Sequence, residues 1–93
     1  MIASIRDKRL VEIIAGRVPR RFPLSLVAAV ERRLAQLRAA VALADLASPP
    51  GNRLEALRGD RLGQHSLRVN DQWRLCFRWT DEGAAEVELV DYH

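Results

Sequence analysis

The stretch "QHSLRVNDQWRLCFRWTDEGAAEVELVDYH", residues 64–93, alternates apolar and polar side chains and is interrupted twice by short polar groups, "NDQ" at 70–72 and "TDEG" at 80–83. Period-two alternation bounded by turn residues is the pattern of hairpin-linked strands with one face buried. Register follows from the same pattern, because a slip of one residue would move every side chain to the opposite face. With Val69 opposite Trp73, Leu67 faces Leu75. Closing the second hairpin so that Trp79 faces Ala85 then gathers Leu67, Trp73, Leu75, Phe77, Trp79, Val87 and Leu89 on one side. Ser66, Arg68, Arg74, Cys76, Arg78, Glu86, Glu88, Val90 and Tyr92 fall on the other.

Upstream of this stretch the period changes. "RLEALRGDRLG" at 53–63 offers one short strand and a polar turn, and Pro49, Pro50 and Gly51 before it are expected to end helical structure. From Pro23 onward Val27, Val30, Leu34, Leu37 and Val41 recur at spacings of three and four, which predicts a long amphipathic helix with Arg32, Arg33, Gln36 and Arg38 turned to solvent. "RVPRRFP" at 17–23 is a basic, proline-broken loop. The opening segment predicts a short strand at Ile2–Ile5 and a helix from Asp7, a good N-cap residue, to Gly16, with Leu10, Ile13 and Ile14 as its apolar face. Two helices followed by hairpin-linked strands make a single α+β domain over residues 1–93, two N-terminal helices packed on one face of a small antiparallel sheet.

A chain of 93 residues has room for one modest core. Its 48% hydrophobic and 29% charged residues fit a folded globular domain. Of fifteen basic residues only Lys8 is lysine, and the net charge is +3. Arginine's planar five-donor fork suits paired phosphate oxygens, so the balance favours an anionic partner. The lone Cys76 excludes an internal disulfide, and with only His65 and His93 beside it no zinc site can be assembled, so neither metal nor cofactor is expected. No apolar run approaches the length of a membrane span or secretory signal, which leads to the expectation of a cytoplasmic protein.

On the polar side of the sheet the register sets Arg68 directly opposite Arg74, where like charges are destabilising. Either the two guanidinium groups splay into water or borrow Glu88, or an anion sits between them as in a phosphate clamp. The chain ends on "VDYH", residues 90–93. Strict alternation would put His93 on the apolar side, so it must curl around the sheet's end to reach the arginines. His65 shares the apolar parity and reads as a partly buried structural histidine, and Cys76 as a small packed residue.

The segments "SPPGNRLEAL" (48–57), "GDR" (59–61), "QWRLCFRW" (72–79) and the terminal "DYH" (91–93) occur in an order that resembles the HigB-type toxins, a branch of the RelE-like toxins of bacterial toxin-antitoxin systems. The resemblance implies a toxin that enters the ribosomal A site and cleaves messenger RNA without metal, the sugar 2′-hydroxyl attacking the adjacent phosphate. It implies a site formed by Arg74, Arg58, Asp91, Tyr92 and His93, joined by Arg68. Arg58 stands where relatives commonly have lysine, and since arginine stays protonated it is assigned to phosphate binding and charge stabilisation. The implied partners are a cognate antitoxin, expected to be a helix-turn-helix DNA-binding protein, together with the ribosome and its message, and no membrane. The same fold also serves relatives that inhibit DNA gyrase without nuclease chemistry, and an inactive relative is the other alternative.

Overall fold

The computed structural model describes residues 1–92, so His93 lies outside the described residues. Two helices, α1 (Lys8–Ile14) and α2 (Leu24–Ala39), precede four strands, β1 (Glu55–Ala56), β2 (His65–Arg68), β3 (Trp73–Thr80) and β4 (Gly83–Asp91). The strands form one antiparallel meander in the order β1-β2-β3-β4. Leu10 and Ile13 of α1 and Leu26, Val27, Val30, Leu34 and Leu37 of α2 pack with Leu67, Leu75, Phe77, Val87 and Leu89 of the sheet in a single core. The helices therefore cover the face that the alternation marked as apolar, and burial of each large side chain there contributes about 1.5–3 kcal/mol.

Register agrees with the alternation through β2 and the first half of β3. Leu67 pairs with Leu75, Arg68 with Arg74, and Leu75 with Leu89. Beyond Cys76 it departs: Trp79 faces Ala84, not Ala85, and Arg78 faces Ala85. The cause is a bulge at Glu86, whose φ of 53° adds one residue to β4. Ala84 is in consequence buried on the core side, and Arg78 and Glu86 form an ion pair at 3.4 Å as a diagonal contact.

Three other expectations shift. The opening segment is no regular strand but two isolated parallel bridges to β4, Ile2 with Ala84 and Ile5 with Val87, one on each side of the bulge. Ile14 is exposed, so the buried face of α1 is Leu10 and Ile13 alone. Helix α2 stops at Ala39, and Val41 lies beyond it at 77% exposure. The Asp45 carboxylate accepts from the backbone N–H of Val41 and Ala42, both at 3.0 Å, and this side-chain capture of two amides starts a 3-10 turn at Leu43–Ala47 in place of further α-helix. Pro50 then opens a second 3-10 turn, Pro50–Asn52, where helical structure was expected to end.

Candidate functional site

The polar face of the sheet carries the site, and its best-fixed member is Arg74. The side chain is only 11% exposed, and it is held from three directions. Nε donates to Ser66 Oγ at 2.8 Å, Nη2 donates to the Arg53 carbonyl at 2.6 Å, and the guanidinium carbon lies 5.7 Å from the centre of the Tyr92 ring. Ser66 is fully buried on β2, so its hydroxyl gives the guanidinium a rigid anchor. Glu55 on β1 adds an outer contact at 3.7 Å.

The Arg53 carbonyl is aimed by local sequence. Asn52 is fully buried, and its Nδ2 donates to the carbonyls of Leu46 at 3.1 Å and Ser48 at 3.4 Å, which ties the "SPPGN" loop to the preceding turn. Arg53 then adopts the left-handed region, φ 45° and ψ 58°, and turns its carbonyl toward β3. Neither feature is visible in an alternation pattern, and Arg53 had not been marked as a site residue.

Arg68 stands opposite Arg74, as expected, but it borrows neither water alone nor Glu88. Its Nη2 makes an ion pair with Asp71 across the turn. Glu88 is engaged elsewhere, with Arg61 at 3.1 Å and Arg6 at 3.6 Å. Arg33, expected on the solvated face of α2, donates from Nε to the Arg68 carbonyl at 2.7 Å and so fixes the end of β2 from the other side. Burial lowers the Arg33 pKa, and repulsion from Arg32 and Arg68 adds to that.

The turn between β2 and β3 is held by Asn70, whose Oδ1 accepts from the backbone N–H of Gln72 at 2.9 Å and Trp73 at 2.8 Å. Gln72 in turn receives the end of β4: its carbonyl accepts from Tyr92 N–H at 2.6 Å, and its Nε2 donates to Asp91 Oδ2 at 3.1 Å. Burial pushes the Tyr92 hydroxyl up, the neighbouring Cys76 adds to that, and Arg61 and Arg74 oppose it. Cys76 is fully buried, its thiol pushed up chiefly by that burial, so it is a packed thiol and not an activated one. His65, on the core side, stacks on Phe77 at 6.3 Å.

Arg53, Arg68, Asn70, Asp71, Arg74 and Tyr92 line one concavity of about 320 Å³. Asp91 is outside the lining, paired with Trp73 on β3 and bonded to Gln72. Arg58 is apart from this group: it is exposed at the start of the 3-10 turn Gly59–Arg61 and does not belong to the lining. Chemically, the lining offers three arginines, of which Arg68 and Arg74 stand on facing strand positions and Arg74 is immobilised, and an aromatic face. Groups of this kind, so placed, can bind and polarise an anion. Proton transfer near neutrality needs a group other than arginine, which stays protonated, or a tyrosine pushed upward. Among the described residues no cluster of three His, Cys, Asp or Glu side chains is placed to hold a metal ion, and no helix is long and apolar enough to cross a membrane.

Known proteins resemble this chain in sequence and in fold. The family model for the RelE-like toxin of the type II toxin-antitoxin system HigB matches residues 4–93. Toxin HigB-1 of Vibrio cholerae serotype O1 (strain ATCC 39315 / El Tor Inaba N16961) is 47% identical over 94 residues, covering 100% of this chain and 98% of that protein. Among solved structures, a YoeB-YefM complex from Staphylococcus aureus aligns over 100% of this chain and 95% of its own, with a TM-score of 0.64 at 15% identity. A heterotetrameric YoeB-YefM toxin-antitoxin complex from the same organism gives 0.60 at 16%, over the same shares. At such identities the likeness is one of fold, and the fold is RelE-like. Matched almost end to end by the family model and sharing nearly half its residues with a toxin of its own length, the chain belongs to the HigB-like toxins of type II toxin-antitoxin systems.

Proposed function

We propose that the protein is an endoribonuclease that cleaves messenger RNA in the ribosomal A site, and that the concavity around Arg74 holds the scissile phosphate. The 2′-oxygen bonds to phosphorus as the bond from phosphorus to the 5′-oxygen breaks, leaving a 2′,3′-cyclic phosphate and a free 5′-hydroxyl. Negative charge grows on the nonbridging oxygens in that transition state, and guanidinium groups already in position stabilise it without reorganising. Arg74 fills that role and Arg68 assists it, while the exposed Arg58 meets the phosphate backbone farther out. One proton must leave the 2′-hydroxyl and one must reach the 5′-oxygen. An imidazole is the side chain able to give or take a proton near neutrality, which assigns the transfer to His93, with Asp91 and Tyr92 preceding it in the chain to orient it. The protein works in the cytoplasm, where the ribosome is, and a cognate antitoxin with a helix-turn-helix DNA-binding domain holds it inactive.

The observation that supports this reading most is the immobilised guanidinium: Arg74, fastened by Ser66 and the Arg53 carbonyl, lies beside Arg68 and over Tyr92. Arg74→Ala is expected to slow cleavage on programmed ribosomes by about 10²–10³, the effect of removing one preorganised donor, with Arg74→Lys intermediate. Rates are compared after melting curves verify that each variant is folded. Fragments ending in 3′-hydroxyl and 5′-phosphate would refute the chemistry. Growth arrest with intact messages and broken DNA would move the assignment to a gyrase-directed toxin.

A further inference from the structure

Across the Asn70–Gln72 turn from the arginine concavity lies a second one, larger at about 480 Å³, and Asn70 lines both. Its walls include Arg9, Arg20, Arg21, Phe22 and Trp73, and its lining holds three arginines and no carboxylate. The charge of Arg9 is shared with Asp7 at 2.8 Å. Arg20 and Arg21 are exposed, and among the described residues neither guanidinium has a carboxylate partner.

Two further features point to a nucleotide. The Arg9 guanidinium carbon lies 5.5 Å from the Phe22 ring centre and 5.8 Å from that of Trp73, so a flat cation backed by two aromatic rings faces the groove. Arginine planes and aromatic faces are the surfaces on which unpaired bases stack. Arg21 is held at φ 62°, the left-handed region where a residue with a Cβ is strained and glycine is not. Strain at a residue whose long cationic side chain is exposed at a basic groove is the pattern of a position serving a ligand more than the fold.

We infer that this groove is a second RNA subsite, which holds the nucleotide of the message next to the cleaved linkage, its phosphate between Arg20 and Arg21 and its base over Arg9. The inference rests on the ribonuclease reading above and extends it by naming where the strand runs after crossing Asn70. Unpaired arginines gathered on one loop repel each other in the free protein, and a polyanionic strand turns that repulsion into binding.

The test uses single-stranded oligoribonucleotides made uncleavable by a 2′-deoxy substitution at the scissile position. One covers only the two nucleotides around that linkage, and one extends beyond it on both sides. Wild type is compared with the double variant Arg20→Ala, Arg21→Gly, whose glycine relieves the backbone strain, so its Tm should equal or exceed that of wild type. Wild type should bind the longer strand about tenfold more tightly than the shorter, the effect of one stacked base and its phosphate. In the double variant that advantage should shrink to what stacking over Arg9 alone supplies, with the short strand bound as before. The slope of log affinity against log salt for the longer strand should fall by about 0.7, the effect of one lost phosphate contact. An unchanged length advantage, or an equal weakening of both strands, would overturn the subsite. So would normal oligonucleotide binding with weakened binding to vacant ribosomes, which would assign the groove to ribosomal RNA. If wild type cleaves messages and the length advantage is absent, the subsite fails alone. If the advantage is present and depends on Arg20 and Arg21 while no message is cut, the ribonuclease reading fails and the RNA subsite stands.

Discussion

Arg68 and Arg74 face each other on adjacent strands, and each is neutralised by an acid on the rim: Asp71 for Arg68 and Glu55 for Arg74. Asp71 is 98% exposed, so its ion pair is worth at most about 1 kcal/mol and weakens with salt. A phosphate entering the concavity has to displace that carboxylate. Asp71→Asn should therefore tighten binding of an uncleavable oligoribonucleotide, by up to about fivefold at low salt and less as salt rises. Weaker binding by the variant, measured by fluorescence anisotropy, would mean that Asp71 positions Arg68 for RNA and does not compete with it. The facing of these arginines was legible in the sequence because parity counting on a strand needs only one correct hairpin. Arg53 was not legible, since its contribution is a carbonyl aimed by a left-handed backbone and a buried Asn52. Nor was Arg33, because helical spacing assigns it to a face but says nothing of the strand end within reach of its long side chain.

Helix α1 has seven residues, too short to be stable by itself, and its attachment to the sheet runs through Asp7. Asp7 Oδ1 caps the helix by accepting from Arg9 N–H at 3.0 Å, and Oδ2 accepts from Leu89 N–H on β4 at 3.0 Å. Burial raises the Asp7 pKa, but the hydrogen bonds from the Arg9 side chain and from the Leu89 and Arg9 amides outweigh it, and the net shift is downward. A carboxyl whose folded pKa lies below its unfolded one stabilises the fold above the unfolded value near 3.9, and that stabilisation disappears as pH falls through the folded value. Asp7→Ala loses the cap and leaves Leu89 N–H without its acceptor, so it should cost about 2 kcal/mol, or about 8–16 °C in Tm for a domain of this size. Asp7→Asn should cost less, with a deficit that is constant near neutrality and shrinks below about pH 4. A deficit independent of pH would show that shape, not charge, matters at this position. The N-cap was readable in advance because Asp before an apolar-periodic segment has a local cause. The bond to Leu89 was not, since it spans the chain. The Glu86 bulge escaped for a related reason: alternation locates strands, but an inserted residue leaves the apolar count on either side almost unchanged.

Over the whole molecule, the first residue and the last strand are joined through the core. The Met1 ammonium donates to the carbonyls of Leu37 and Ala40 at the C-terminal end of α2, each at 2.6 Å. Cations are favoured there, where helix carbonyls lack partners. Met1 also runs so close to the start of β4 that a Cβ on Gly83 would collide with the Met1 carbonyl. The beginning of β4 is thus tied to α2 and its far end to the site, through Asp91 and Tyr92. The layering of helices on an antiparallel sheet could be anticipated from periodicity alone, but a charged terminus acting as a helix cap has no sequence signal. A peptide fused ahead of Met1 replaces an ammonium having three donors with an amide having one, and should cost about 1–2 kcal/mol, lowering Tm by about 4–16 °C. Under the ribonuclease reading, a peptide fused behind His93 should leave Tm unchanged and abolish cleavage. Melting curves and ribosome cleavage assays on the untagged, N-tagged and C-tagged proteins check both. Equal melting of the first two would remove the terminal ammonium from the forces that hold α2 to the sheet, and full activity of the third would remove the chain's last residues from the chemistry.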